Sequence, residues 1–114
     1  MVKKIIFRVR ESDRAIFEAV LNGKKKVETR AATSKFAKIK AGDSIILICG
    51  KDRLEKQVKK AKIFKTIPAM LKEYYFKDIN PLIGSVKELE KMYSSFPGYE
   101  EKIKKCGLIA LEIK

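Results

Sequence analysis

From Asn22 to Arg30 the sequence runs NGKKKVETR, and the residue types in this stretch could do chemistry. Lys24, Lys25 and Lys26 offer ammonium groups, Glu28 a carboxylate and Arg30 a guanidinium. Two chemistries fit the set. In the first, the cations contact phosphate or base edges, and Glu28 either orients Arg30 or accepts a hydrogen bond from a base amino group. In the second, a lysine whose pKa is lowered by neighbouring cations acts as base or nucleophile. Lys25, flanked by Lys24 and Lys26, has that arrangement, with Glu28 in the acid–base role. Other catalytic signatures are missing: the chain has no His, no GxSxG, no phosphate-loop motif and no paired carboxylates at metal spacing. Cys49 and Cys106 show no CxxC spacing, so a Cys/His zinc site is excluded and no cofactor is expected.

These residues need an element to hold them. If residues 25 to 30 are extended, Lys26, Glu28 and Arg30 share one face, with Val27 and Thr29 on the other and Val27 as the buried anchor. Glu28 can then pair with either basic neighbour. A purely structural reading is also open: a solvated row of balancing charges, worth under about 1 kcal/mol per pair. Lysines just after a helix are in any case favoured by its dipole.

The surrounding pattern predicts that helix. A strand over 3–10 puts Ile5, Phe7 and Val9 on one face. Ser12 or Asp13 caps a helix with Ile16, Phe17, Val20 and Leu21 on one side, and Asn22-Gly23 ends it. A helical turn near Ser34 to Ala37 and a turn at Ala41-Gly42-Asp43 lead to a buried strand, Ser44 to Cys49. In the lysine-rich strand over 53–65, Val58, Ala61 and Ile63 break alternation, which predicts a bulge near Lys59-Lys60. IPAMLKEYYF reads as one helix; Ser85 to Glu88 is a capping box opening another, which Pro97-Gly98 interrupts before a short turn at Tyr99 and Ile103. Leu108 to Ile113 is apolar at nearly every position, as in a central strand. Five strands interleaved with helices predict an α+β fold with a small, partly closed barrel.

At 114 residues the chain suits one domain, 1–114. Lys plus Arg outnumber Asp plus Glu by 27 to 14, a net charge of +13, which favours an anionic partner. RNA or a nucleotide-like anion is the expected one; heat-adapted surface decoration is the competing explanation. Three basic bands are present: 24–26, the lysines from Lys56 to Lys65, and Lys102, Lys104 and Lys105. Tyr74, Tyr75, Tyr93, Phe96 and Tyr99 are candidate base-stacking platforms, and Tyr99, after Pro97-Gly98, is the one expected to be partly exposed. Both thiols lie in or beside apolar stretches and are expected to be buried. The N-terminus lacks a signal-peptide core, and the longest apolar run, Ile45 to Cys49, cannot span a bilayer. A soluble, cytoplasmic monomer without a membrane partner is expected.

GKKKVETR, IKAGDSIIL and MYSSFPGYEEKIKKCGLIALEI together resemble the ASCH family of PUA-like domains, and the resemblance spans essentially the whole chain. It implies a β-barrel of five or six strands flanked by about three helices, with a cleft lined by the GKKKVETR strand. The similarity of that family to PUA domains implies RNA binding, here through Lys24, Lys25, Lys26, Glu28, Arg30 and Tyr99. Some bacterial members are instead amidohydrolases acting on N4-acetylcytidine with a Lys, a Thr and a Glu. Counting back from Arg30, that lysine falls on Lys25. The threonine position is occupied by Glu28, and Thr29 is one place off, on the opposite face of an extended strand. RNA binding is therefore the expected function, with a Lys25- and Glu28-dependent amidohydrolase as the alternative.

Overall fold

Residues 2–114 are described by a computed structural model. The chain forms β1 (Lys4–Val9), a 3-10 turn (Glu11–Asp13), α1 (Arg14–Leu21), β2 (Val27–Ala31), β3 (Ser44–Cys49) and β4 (Asp52–Phe64). α2 (Ile67–Leu71), α3 (Phe76–Ile79), α4 (Val86–Ser95), α5 (Tyr99–Cys106) and β5 (Leu108–Ile113) follow. The strands make one sheet in the order β1-β3-β4-β5-β2; β1 and β3 are parallel and the other pairs antiparallel. β1 and β2 are the two ends of that order, yet the Arg30 guanidinium lies 4.6 Å from the centre of the Phe7 ring. The sheet therefore curls into a half-barrel that brings its open edges face to face. This is the α+β, barrel-like architecture the alternation predicted.

The curl has a core on each side. Phe7, Phe17, Val20, Ile45, Leu47, Val58, Ile109 and Leu111 fill the inside, under α1. Val27, Phe64, Met70, Ile79, Leu89, Tyr93, Leu108 and Ala110 pack outside, under the later helices. β5 sends alternate residues to both cores, which is why nearly every position in it is apolar. The bulge in β4 falls between Val58 and Lys60, where the register with β5 shifts. The extra residue lets Val58 and Ala61, three apart in sequence, face the same inner core.

Several local expectations are corrected. Among the described residues there are five α-helices rather than about three. IPAMLKEYYF breaks after Leu71 because its two tyrosines take different environments. The Tyr74 hydroxyl donates to Glu112 on β5 at 2.6 Å and its ring packs edge-on to Phe64. Tyr75 turns extended, with ψ 134°, and stands 59% exposed. The helical turn near Ser34 to Ala37 is present as a single turn, closed by the Ala37 amide on the Thr33 carbonyl at 2.8 Å, and goes no further. β2 starts at Val27 rather than residue 25, because the Lys25 and Lys26 amides donate to Ala19 of α1 and Asp78 of α3. Leu21 is 59% exposed, and Ala19 takes its place in the buried face of α1. Both cysteines are free: Cys49 is buried as expected, whereas Cys106 is exposed at the end of α5.

Turn chemistry otherwise follows the residue types. Gly23, at φ 82°, closes α1 in the left-handed region. Ser85 caps α4 by accepting from the Glu88 amide, while the Glu88 carboxylate reaches back to the Gly84 amide. Asp43 is fully buried and accepts from the amides of Lys3 and Lys40, tying the start of β1 to the turn before β3. No helix among the described residues is long and apolar enough to cross a membrane.

Candidate nucleotide-sized cleft between the open sheet edges

The facing edges of β1 and β2 leave a cleft of about 660 Å³. The edge of β2 that is not paired with β5 points into it. Ladder bonds at Lys26–Ile113 and Ala32–Gly107 fix the parity of this strand, so the amides of Thr29 and Ala31 face away from β5. Each finds a side chain. The Thr29 amide donates to the carboxylate of Glu28 at 3.1 Å, and the Ala31 amide donates to the hydroxyl of Tyr99 at 3.3 Å. An edge left this way is closed to a further strand but lined with polar atoms.

Lys25 and Glu28 are both buried, at 6% and 7% exposure, with the ammonium 4.0 Å from the carboxylate. The ammonium also donates to the carbonyl oxygen of Ile79 at the end of α3. Burial pushes the Lys25 pKa below its ordinary value; the Glu28 carboxylate works against that, and the Arg30 guanidinium adds to it. Beside this pair the hydroxyls of Thr29 and Tyr93 share a hydrogen bond. Burial raises the Tyr93 phenol above its ordinary value, and the bond with Thr29 offsets only part of the rise.

Arg30 is held by rings rather than by Glu28. Its guanidinium lies 4.6 Å from the centre of Phe7 and 5.9 Å from that of Phe36, a cation–π setting that fixes the group without neutralising it. Its Nε is buried and has no hydrogen-bond partner. The pairing of Glu28 with Arg30 or Lys26 that alternation suggested is replaced by Glu28 with Lys25. The cause is the late start of β2, which turns Lys25 inward. Against the same strand Tyr93 and Tyr99 stack at 6.4 Å with rings 3° from parallel, and Phe96 packs edge-on to Tyr99 at 5.2 Å.

Of the residues selected from the sequence, Lys25, Glu28, Arg30 and Tyr99 line the cleft together. Lys24 and Lys26 do not: both are exposed, and Lys26 borders a separate, smaller hollow with Lys59 and Tyr74. Thr29, expected on the far face, also lines the cleft, since the cleft runs along the strand edge and both faces reach it. None of the lysines of β4 or α5 lines it; its remaining cations are Arg8 and Arg10, from the end of β1. Alternation along β1 placed Arg8 away from the core but could not show that its strand faces β2. Asn80 and Met92 were likewise missed as lining residues. No cluster of three or more His, Cys, Asp or Glu side chains suited to a metal occurs among the described residues.

Two solved structures are similar over almost their whole length. The crystal structure of hypothetical protein PH0355 is 30% identical, covers 100% of this chain and 98% of its own, and superposes with a TM-score of 0.80. The solution NMR structure of protein PF0455 from Pyrococcus furiosus is 31% identical, covers 97% of this chain and 96% of its own, and gives a TM-score of 0.75. No family model and no curated protein matches the sequence.

Proposed function

This chain belongs to the family of PH0355 and PF0455, and we propose that it binds RNA as a monomer, through one base or nucleotide-sized fragment held in the cleft. One observation carries the reading. The buried Lys25–Glu28 pair sits in the same nucleotide-sized cleft as Arg30, whose half-buried guanidinium makes no ion pair or hydrogen bond among the described residues. Desolvated polar groups are costly unless something pairs with them. A base edge offers both complements, an acceptor for Arg30 and an amino group for Glu28. Phe96 and Tyr99 supply ring faces on the wall, and exposed Arg8 and Arg10 supply cations for phosphate at the mouth. The same reading agrees with the resemblance to ASCH proteins and their PUA-like fold.

Its test is titration with short single-stranded RNA at several salt concentrations. Arg30→Ala is expected to weaken binding far more than Lys104→Ala, and wild-type affinity to fall steeply with salt. Equal affinity for RNA and duplex DNA, together with indifference to Arg30→Ala, would leave only nonspecific charge.

A second reading has an observation of its own. Lys25, with its lowered pKa, shares the cleft with the Glu28 carboxylate and the Thr29 hydroxyl, the residue types used by the N4-acetylcytidine amidohydrolases. In that reading neutral Lys25 takes the proton of the attacking hydroxyl or water, and Glu28 serves in acid–base transfer. Incubation with N4-acetylcytidine followed by chromatography decides it. Absence of cytidine, or turnover unchanged in Lys25→Ala, removes the hydrolase.

A further inference from the structure

We propose that a single-stranded RNA anchored in the cleft continues onto the outer face of the sheet, crossing β1, β3 and β4 from Arg8 to Arg53. The inference rests on the cleft reading and extends it to the path of the chain.

Ile5, Phe7 and Val9 of β1, Ile45, Leu47 and Cys49 of β3, and Leu54 and Val58 of β4 all point into the inner core. The residues between them therefore face outward. The register sets three outward rows across the strands: Lys4–Ser44–Gln57, Ile6–Ile46–Glu55 and Arg8–Ile48–Arg53. The helices past β4 pack instead on residues of β2, β5 and the end of β4. Ile6, Ile46 and Ile48 lie outside both clusters; Ile6 stands 42% exposed and Ile48 is half-buried, whereas Ile46 between them is buried at 6%.

The charges on this face are asymmetric. Lys4 is paired with Glu55 at 3.5 Å, the one acidic residue in the three rows. Arg8 and Arg53 are exposed and form no ion pair among the described residues. Their backbones lie two strand spacings apart, about 10 Å, with Ile48 between them. Two free guanidinium groups flanking an apolar strip suit a strand of alternating phosphate and base. Arg8 also lines the cleft, so one side chain belongs to both surfaces and joins them.

The test uses the whole chain, a short fluorescein-labelled single-stranded RNA, and the common nucleoside monophosphates titrated separately. Arg53→Ala alters an exposed side chain and is expected to bind the monophosphates as wild type does. Its RNA affinity should fall several-fold, and the slope of log affinity against log salt should shrink by about 0.7, the share of one single-strand phosphate contact. Lys104→Ala, on α5, should change the slope little. A slope in Arg53→Ala equal to that of Lys104→Ala overturns the path. If RNA binding is then still lost in Arg30→Ala, the cleft reading survives without it. If Arg53→Ala reduces the slope while monophosphates fail to bind and Arg30→Ala is neutral, RNA meets the sheet face without the cleft, and the anchor and the path that starts from it are both overturned. Absence of RNA binding by wild type overturns both.

Discussion

Lys25 carries an ammonium into a place that excludes nearly all water, and its partners there are the Glu28 carboxylate and the carbonyl of Ile79. A buried pair of this kind adds little net stability, but removing one member leaves the other charge uncompensated. Glu28→Gln keeps the size of the side chain and its acceptor for the Thr29 amide while stranding Lys25. It is expected to destabilise the protein by about 3 kcal/mol in urea titrations. Combining it with Lys25→Met should recover most of that loss, a non-additivity that a double-mutant cycle reads directly. If the two changes simply add, the pair is not an energetic unit. The same burial fixes a pH dependence. The pKa of Lys25 in the folded state lies below its ordinary 10.5, so the unfolded chain binds more protons between those two values. Stability contributed at Lys25 therefore rises as pH increases through that window and is complete above 10.5. Cys49, Tyr93 and the half-buried Tyr74 oppose this at high pH, since desolvation raises their pKa values, with the bond to Glu112 adding to the rise at Tyr74. The informative quantity is the stability of wild type minus that of Lys25→Met, which should climb from neutral toward alkaline pH. A flat difference would mean that the ammonium is better solvated than its surroundings imply.

Between elements, Asp43 does the most with one side chain. Burial by itself would raise its pKa, but amides of Lys3 and Lys40, with the charges of those lysines, pull it below the ordinary carboxylate value of 3.8. A carboxyl depressed in the folded state adds stability above its unfolded pKa and loses it as pH falls through the folded one. Acid unfolding of wild type should therefore show a loss below about pH 3.8 that is absent in Asp43→Asn, and neutral-pH stability should be lower in the variant. Equal acid profiles would remove the clip. The Ala-Gly-Asp turn was legible in the sequence because turn chemistry is local, and so were the cap at Ser85, the doubly buried β5 and the bulge that rescues Val58 and Ala61. The break between α2 and α3 was not, since it depends on Tyr74 finding Glu112 on a strand 38 residues away. The site divides the same way. Lys25, Glu28 and Arg30 stand out as a cluster in the chain, and Tyr99 as an aromatic after a Pro-Gly break. Arg8 and Arg10 become site residues only when the curl brings β1 opposite β2, which no local pattern encodes. The inward turn of Lys25 depends likewise on amide partners in α1 and α3.

Across the whole molecule, 27 basic against 14 acidic side chains are held in a body of 31 × 30 × 25 Å. Five of the six ion pairs found among the described residues are exposed and each is worth at most about 1 kcal/mol, so screening them costs little. Self-repulsion of the surplus is expected to outweigh them, so added salt should raise the melting temperature while it weakens the proposed RNA binding. The two responses oppose each other because one charge surplus drives both. Screening at about 0.15 M already acts over about 8 Å, less than the width of the molecule. The repulsion left to relieve is thus mostly local, and Arg8, Arg10, Lys25 and Arg30 converge on one cleft with Asp13 and Glu28 as its acidic residues. Sodium phosphate should therefore raise the melting temperature more than potassium chloride at matched ionic strength. Phosphate also strengthens burial in proteins generally, so the excess alone does not locate the effect. Arg30→Ala does: it should lose the part of the excess that arises in the cleft and keep the general part. An excess that survives Arg30→Ala in full would place the anion elsewhere on the surface.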